Sequence, residues 1–206
     1  MRLVRQPKEV RQKLDVPDVS RVPPGQFVTD KFPVFSYGPT PQLGLKMWRF
    51  RIFGMVEETM EFTWEDFMAL PQITLSADFH CVTQWSHLDN TWEGVSIQEI
   101  LKHVRLKPET QSVMAHCYGG YTTNLALEFL ASEPAILAHT HNDKPLTPDH
   151  GWPLRLVVPQ RYGWKSAKWI NGLEFLQRDQ MGFWEVRGYH IDGNPWREER
   201  FEAGPF

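Results

Sequence analysis

Turn-forming residues interrupt the chain throughout and keep its helices and strands short. The 206 residues include 16 prolines and 14 glycines, and short strand-like and helix-like stretches alternate irregularly between them. Neither the strand–helix–strand spacing of a doubly wound parallel sheet nor an internal repeat is visible. The sequence therefore predicts a loop-rich α+β fold in which mixed sheets and short helices form a single domain.

Individual elements are predicted from hydrophobic periodicity and from capping residues. Helices are predicted where a capping residue precedes helical spacing, after Thr63, Ser96 and Asn124. Apolar or alternating runs predict the strands. These fall at residues 48–52, 73–79, 112–116, 135–139, 155–158 and 170–176, with Met60 and Phe62 on a hairpin return.

The chain divides into an arm, a domain and a second arm. Residues 1–31 are polar and rich in proline, which predicts an extended N-terminal arm. The domain is predicted over residues 32–180. Residues 181–206 combine aromatic side chains with charges, and we expect them to form a C-terminal arm that packs on the domain through residues such as Trp184 and Tyr189.

Composition and charge exclude several classes of protein. Hydrophobic residues make up 41% and charged residues 23% of the chain, which excludes disorder as the main state. The formal net charge is −3, so the chain lacks a general basic surface for nucleic acid. No apolar run reaches the length of a membrane span, and the N-terminus lacks the apolar stretch of a signal peptide. These features predict a cytoplasmic protein.

Cys81 follows an apolar strand and precedes Trp85 in a loop, a position that suits a reactive or metal-bound thiolate. In the cytoplasm both cysteines, Cys81 and Cys117, would stay reduced, which favours a thiol function over a disulfide. A small buried hydrophobic role remains an alternative for Cys81 and is the favoured interpretation for Cys117.

Several histidines are candidates for metal binding or proton transfer, and they are His80, His87, His116, His139, His141 and His150. Their spacing matches no zinc motif, so a zinc site has weak support. The alternation of residues 139–141 predicts that the two histidine side chains share one face of a strand. A Cys81 nucleophile paired with His116 or His139 stays open as a hydrolase hypothesis.

A second polar cluster lies around a turn between two apolar strands. Arg155, Lys165 and Lys168 are basic, and Ser166 adds a hydroxyl group. An arginine fork with two lysine charges suits an anionic or phosphorylated ligand. The alternative, a solvated charged loop, loses support because the cluster lies between apolar strands and among tryptophans.

Three segments together resemble one known family. They are residues 80–86 (His-Cys-Val-Thr-Gln-Trp-Ser), 145–159 and 162–169, and their motifs occur in the order of the sulfite-oxidase-type molybdopterin domain. The resemblance runs from about residue 32 to residue 176. Within that family, the chain is similar to the small, haem-free bacterial branch that includes the catalytic subunit of the periplasmic methionine-sulfoxide reductase. It implies this fold, a molybdenum-molybdopterin cofactor and oxidoreductase activity.

The resemblance also implies roles for single residues. Cys81 matches the cysteine whose thiolate binds molybdenum, and a soft anionic sulfur suits this high-valent metal. His139 and His141 are predicted to donate hydrogen bonds or transfer protons beside the metal. The predicted cofactor-binding residues are Phe35, Ser36, Tyr37, Gly38, His116, His150, Arg155, Lys165, Ser166, Ala167 and Lys168.

The chain departs from the family where substrates are recognised. Sulfite oxidases have a basic residue in the N-terminal loop, whereas residues 35–37 here are uncharged, and their active-site tyrosine aligns with His139. The reductase branch has a glutamate at the position of Thr83. We therefore expect oxygen-atom transfer on a small substrate, with S- or N-oxide reduction favoured over sulfite oxidation.

Two alternatives come from other functional classes: a molybdopterin-binding module without catalysis, and the Cys/His hydrolase. Because the sequence contains no haem, flavin or iron–sulfur motif, an oxidoreductase of this type would exchange electrons with an unidentified partner.

Overall fold

The computed structural model describes residues 21–202, so residues 1–20 of the predicted N-terminal arm and the last four residues lie outside the described range. The described strands are β1 (Phe27–Val28), β2 (Phe50–Gly54), β3 (Met60–Phe62), β4 (Ile73–His80), β5 (Trp85–Ser96), β6 (Ser112–Cys117), β7 (Thr122–Ala126), β8 (Ile136–His141), β9 (Lys144–Pro145), β10 (Arg155–Val157) and β11 (Ile170–Leu176). The α-helices are α1 (Trp64–Met68), α2 (Ile97–His103) and α3 (Leu127–Ser132).

The strands form two mixed sheets. The first follows the order β1-β5-β8-β10, with β4 also paired to β5 and β9 to β8. The second follows the order β3-β2-β11-β6-β7. Strands β1 and β5 are parallel, as are β2 and β11, and the other pairs are antiparallel. The α+β class, the mixed sheets and the short helices predicted from the sequence are confirmed.

Alternation along the strands selects the residues that build the core. In β2, Phe50 and Ile52 are buried while Arg51 between them is exposed. A larger apolar cluster collects such residues from the second sheet, and a smaller one contains Phe79 and Trp92 of the first sheet. Each large side chain buried in this way contributes about 1.5–3 kcal/mol to stability.

Two of the three α-helices begin at the capping residue predicted from the sequence. Thr63 caps α1 in a reciprocal capping box with Asp66, and the Ser96 hydroxyl accepts a hydrogen bond from the Glu99 N–H at the start of α2. The predicted Asn124 cap is wrong. Asn124 lies inside β7, and α3 begins after Ala126 without a side-chain cap, because the Asn124 amide is used in a tertiary contact.

Among the described residues, no helix is long and apolar enough to cross a bilayer.

Candidate active site

One pocket of about 390 Å³ collects side chains from widely separated parts of the chain. The loop at residues 32–37 forms one side, and the turn between β4 and β5 contributes Cys81. The segment around residues 163–169 forms another wall, and the C-terminal part of the chain adds Trp184 and Tyr189. The segment after β10 can pack this closely because it carries Gly163: a Cβ there would lie 2.6 Å from the Phe79 ring.

Cys81 lies in a tight turn at one wall of the pocket. Its N–H donates to the Trp85 carbonyl at 2.8 Å, and the Gln84 N–H donates back to the Cys81 carbonyl at 3.1 Å. The Cys81 Sγ is 3.1 Å from the Thr83 Oγ1, and the residue is only 9% exposed. Burial raises the pKa of the Cys81 thiol, and hydrogen bonds from the Thr83 side chain and from the turn backbone oppose this rise.

Arg155 brings a buried positive charge to the pocket. Its Nη1 and Nη2 donate to the carbonyls of His150 and Ser166, each at 3.1 Å, and its Nε has no hydrogen-bond partner. The guanidinium also lies over the rings of Phe79 and Trp92, at 5.4 and 5.3 Å from their centroids. Burial lowers the pKa of Arg155 to about 10.

Lys168 adds a second cation at the same wall. Its Nζ donates to the Asp149 carbonyl at 2.8 Å and to the Ser36 hydroxyl. Burial and the nearby Arg155 charge lower the pKa of Lys168 to about 8. Within the described part of the chain, neither Arg155 nor Lys168 has a carboxylate at ion-pair distance.

The two cations and the Cys81 sulfur together fit a ligand that carries both an anionic group and a thiolate-binding metal. A buried cation is costly unless an opposite charge is paired with it, and here the protein supplies only neutral acceptors. A phosphate group would provide the missing negative charge and an acceptor for the Arg155 Nε. A soft cation would be bound by the Cys81 sulfur in the same cavity. The residues present therefore fit a phosphorylated cofactor that carries a metal.

The structure brings most of the predicted cofactor-binding residues into this pocket. The predicted residues that line it are Phe35, Ser36, Tyr37, Cys81, His150, Arg155, Ser166, Ala167 and Lys168. The predicted residues that do not line it are Gly38, His116, His139, His141 and Lys165.

His139 and His141 lie in different surroundings although they are two residues apart. Thr140 pairs with Glu93 and Ala138 with Gly94, so the bulge in β8 leaves His139 without a partner in the register. The His141 ring stacks on Trp92 at 4.1 Å between ring centroids, whereas the His139 ring faces Trp64 at 6.3 Å. The prediction that they share one face is wrong because the bulge changes the alternation.

Lys165 and His116 are bound to acidic residues of the protein itself. The Lys165 Nζ lies 2.6 Å from a Glu185 carboxylate oxygen, and it also donates to the side-chain oxygen of Asn124 at 2.8 Å. The His116 Nε2 lies 2.9 Å from the Glu174 Oε2. His116 and His139, the two histidines considered as partners of Cys81 in the hydrolase hypothesis, therefore both lie outside the pocket.

Sequence reasoning missed several residues of the pocket wall. Tyr121 lines it and donates its hydroxyl proton to the Trp164 carbonyl at 2.6 Å. Phe32 lines it as well and has aromatic neighbours that include Phe79 at 5.1 Å. Tyr189 reaches the pocket from the C-terminal part of the chain. Only the aromatic content of these segments could have drawn attention to them.

Comparison with known proteins identifies the family. A family model described as the oxidoreductase molybdopterin binding domain matches residues 37–184. The chain belongs to this family. Its cofactor is molybdenum bound by molybdopterin, and the predicted oxidoreductase class is confirmed.

Two relatives and one solved structure show how far the similarity extends. The chain is 44% identical over 182 residues to the uncharacterized oxidoreductase YuiH of Bacillus subtilis (strain 168), covering 88% of this chain and 92% of that protein. It is 25% identical over 173 residues to the putative protein-methionine-sulfoxide reductase subunit YedZ1 of Azospira oryzae, covering 82% and 66%. The sulfane dehydrogenase SoxCD from Paracoccus pantotrophus matches with a TM-score of 0.63 and 23% identity, over 72% of this chain and 42% of that chain. This last match confirms the sulfite-oxidase-type fold.

Proposed function

We propose that this molybdopterin oxidoreductase reduces a small neutral S- or N-oxide, with Cys81 as the protein ligand of molybdenum. The observation that carries the proposal is that the positive charges of the described pocket lining lie on one wall only. One wall places Arg155 and Lys168 where a phosphate fits, and the remaining walls are mainly aromatic. Arg155 and Lys168 are the only lysine or arginine residues in the described lining.

Both cations are therefore assigned to the cofactor. Once a phosphate group neutralises them, no fixed positive charge is left in the described lining to hold a sulfite dianion. A neutral oxide needs no such charge, because it can bind through its apolar groups and one polarised oxygen. The exposed Phe35 and Tyr37 of the N-terminal loop supply apolar surface at the pocket.

The chain's own residues would bind the cofactor, shield the site and hold a proton near the substrate. The cofactor supplies two-electron redox chemistry coupled to the transfer of one oxygen atom. Arg155 and Lys168 would bind its phosphate, and Cys81 would give a thiolate sulfur to the metal. The Tyr189 hydroxyl is a candidate hydrogen-bond donor to the substrate oxygen, because the side chain lines the same pocket as Cys81.

The proposed reaction balances with an external electron donor. An S-oxide takes up two electrons and two protons, its sulfur–oxygen bond breaks, and the products are a thioether and water. The donor would be a reduced electron-carrier protein, for which a reduced viologen dye can substitute in an assay.

The first experiment measures molybdenum in the purified full-length protein from a host that makes the cofactor. We expect close to one molybdenum per wild-type chain, a large loss in the Cys81→Ser variant, and no loss in the matched Cys117→Ser variant. Cys117 is a suitable control because it is buried in the core outside the pocket. Full molybdenum content in Cys81→Ser would refute the ligand assignment.

The second experiment decides the substrate class with the loaded protein. Reduced viologen should be oxidised on addition of a dialkyl sulfoxide or an amine N-oxide, while sulfite should not reduce an electron acceptor. Rapid sulfite oxidation would overturn the proposed direction and substrate. Bound molybdenum that neither donor nor acceptor can cycle would instead support the non-catalytic module.

The cytoplasmic location predicted from the sequence is part of the same proposal. Cell fractionation with an antibody against the protein tests it, and recovery outside the cytoplasmic fraction would refute it.

A further inference from the structure

The segment after residue 184 encloses the side of the pocket on which Cys81 lies. The family match ends at residue 184, so this segment lies beyond the matched region. The Tyr162 N–H donates to the Gly193 carbonyl at 2.9 Å, and the Trp196 ring meets His80 edge-on at 5.2 Å. These contacts tie the segment to both strands and loops around the pocket.

Arg200 makes the most direct contact between this segment and the Cys81 turn. Its Nη1 donates to the Val82 carbonyl at 2.6 Å, one residue from Cys81. The guanidinium lies over the Tyr162 ring at 5.0 Å, and the side chain is only 13% exposed. Its nearest carboxylate, that of Glu198, is 3.9 Å away. The shortest polar contact of Arg200 is therefore with the turn and not with an acidic residue.

The same turn is held from a second side. The Gln26 Nε2 donates to the Cys81 carbonyl at 3.1 Å. Gln26 precedes β1, while Arg200 comes from the other end of the described chain. Because Cys81 and Val82 each have a carbonyl bound by a distant side chain, tertiary contacts fix two consecutive peptide groups directly after the Cys81 Cα.

We propose that Arg200 is a positioning residue for Cys81, which holds the Val82 carbonyl so that the Cys81 sulfur keeps its direction into the pocket. The proposal rests on the proposed function, in which this sulfur binds molybdenum. Loss of the hydrogen bond frees the turn, so the sulfur becomes more accessible in the cofactor-free chain and binds the metal less often in the loaded protein.

The test compares three variants of the full-length chain. Arg200→Gln removes the charged fork, Arg200→Lys keeps the charge with a single compact donor group, and Arg197→Gln is the matched control. Arg197 belongs to the same segment, but its side chain is 75% exposed and 3.7 Å from Glu199. Urea unfolding of each variant checks that the fold is intact.

The first measurement is the alkylation rate constant of the Cys81 thiolate in the cofactor-free full-length chain, taken from the pH dependence of the rate because the Arg200 charge also lowers the pKa of the Cys81 thiol. Peptide mass spectrometry separates Cys81 from the buried Cys117. We expect a rate at least about threefold above wild type for Arg200→Gln, an intermediate rate for Arg200→Lys and the wild-type rate for Arg197→Gln. Equal rates in Arg200→Gln and Arg197→Gln would overturn the proposal. If Arg200→Gln does not fold, a wild-type rate in Arg200→Lys overturns it.

The second measurement is the thiolate-to-molybdenum absorption of the loaded protein, divided by its pterin content. Arg200→Gln should lose at least about threefold in this ratio, because the phosphate contacts of Arg155 and Lys168 still hold the pterin. A parallel loss of pterin and absorption, with a lowered urea midpoint, would show a merely structural role and overturn the proposal. If Cys81→Ser keeps the absorption, the proposed ligand is wrong, and the alkylation rates still decide whether Arg200 holds the turn.

Discussion

Arg155 is a buried cation whose hydrogen-bond partners in the described chain are all neutral. Arg155 is only 3% exposed, and its Nε has no hydrogen-bond partner. Burying a charge without an ionic partner costs free energy, because the lost hydration is not repaid by an opposite charge. The guanidinium is therefore better explained by what it binds than by what it stabilises.

We predict that Arg155→Met separates cofactor binding from stability. Molybdenum and pterin per chain should fall at least about tenfold, because one charge-assisted contact to a phosphate contributes about 1.5–3 kcal/mol. The free energy of unfolding of the cofactor-free chain should fall by no more than about 1–3 kcal/mol, because the carbonyls of His150 and Ser166 lose their donor while the desolvation cost of the buried charge is removed. Metal analysis, pterin fluorescence and urea unfolding measure these quantities.

Arg161→Met is the matched control for this prediction. Arg161 lies over the Phe129 ring at 3.7 Å and does not line the pocket, so its replacement should leave the molybdenum content unchanged. Unchanged loading of Arg155→Met would remove Arg155 from the site. A large loss of stability in that variant would identify it as a structural residue.

The sequence was most informative about residues that belong to short local motifs. Cys81 after an apolar strand and Arg155 with Lys168 beside a turn could be selected from their neighbours alone, and the structure places all three in one pocket. Tyr189 is separated from Cys81 by more than half of the chain, and no local pattern links them. Its place in the wall depends on tertiary packing, which one sequence does not encode in readable form.

Lys165 and Glu185 join two 3-10 helices that are distant in sequence. Lys165 ends the first (Gly163–Lys165) and Glu185 begins the second (Glu185–Arg187). Both side chains are fully buried, and the carboxylate also accepts hydrogen bonds from Thr123 and Trp164. Burial lowers the pKa of Lys165, and the Glu185 charge opposes this. The pair fastens the C-terminal segment to the pocket wall.

We predict that breaking this pair with Lys165→Met costs about 3–5 kcal/mol of unfolding free energy, because it leaves the Glu185 charge buried without its partner. The double variant with Glu185→Leu should recover part of the loss. Lys102→Met is the control: Lys102 pairs with Glu99 but is 70% exposed, so its loss should cost less than about 1 kcal/mol. Urea unfolding measures the free energy of unfolding of all three variants. Equal losses in Lys165→Met and Lys102→Met would refute the prediction.

The elements themselves were predictable where one face alternates cleanly. Strand β4 and helix α1 follow directly from their apolar pattern and their cap. Strand β5 was not predicted because it buries polar residues, Ser86 and Asn90, at positions where an apolar pattern is expected. Those polar groups are satisfied by tertiary hydrogen bonds to distant residues, such as Gln26 and His141, which the local pattern does not reveal.

Buried histidines make the stability of the whole molecule depend on pH. His80 is 1% exposed, and its Nδ1 lies 2.8 Å from the Ser86 Oγ. Burial lowers the pKa of His80 from 6.5 to about 4, with the Asp78 charge opposing this. Burial also lowers the pKa of His141 to about 4, and the Arg155 charge acts in the same direction. Between pH 6.5 and about pH 4, both histidines are therefore neutral in the native state, whereas in the unfolded chain they bind a proton.

The sign of the pH dependence follows from this difference in proton binding. Between the ordinary pKa of 6.5 and the native pKa of about 4 the unfolded state binds more protons, so stability is complete above this window and falls as the pH drops through it. From about pH 7 to about pH 5, His80 alone should cost about 2 kcal/mol of unfolding free energy. Urea unfolding of His80→Gln should show a lower plateau near neutral pH, because the Ser86 contact is lost, but a shallower decline toward acid. His103→Gln is the control, since the His103 side chain is 42% exposed, and it should keep the wild-type slope. A wild-type slope in His80→Gln would exclude His80 as a source of the acid sensitivity.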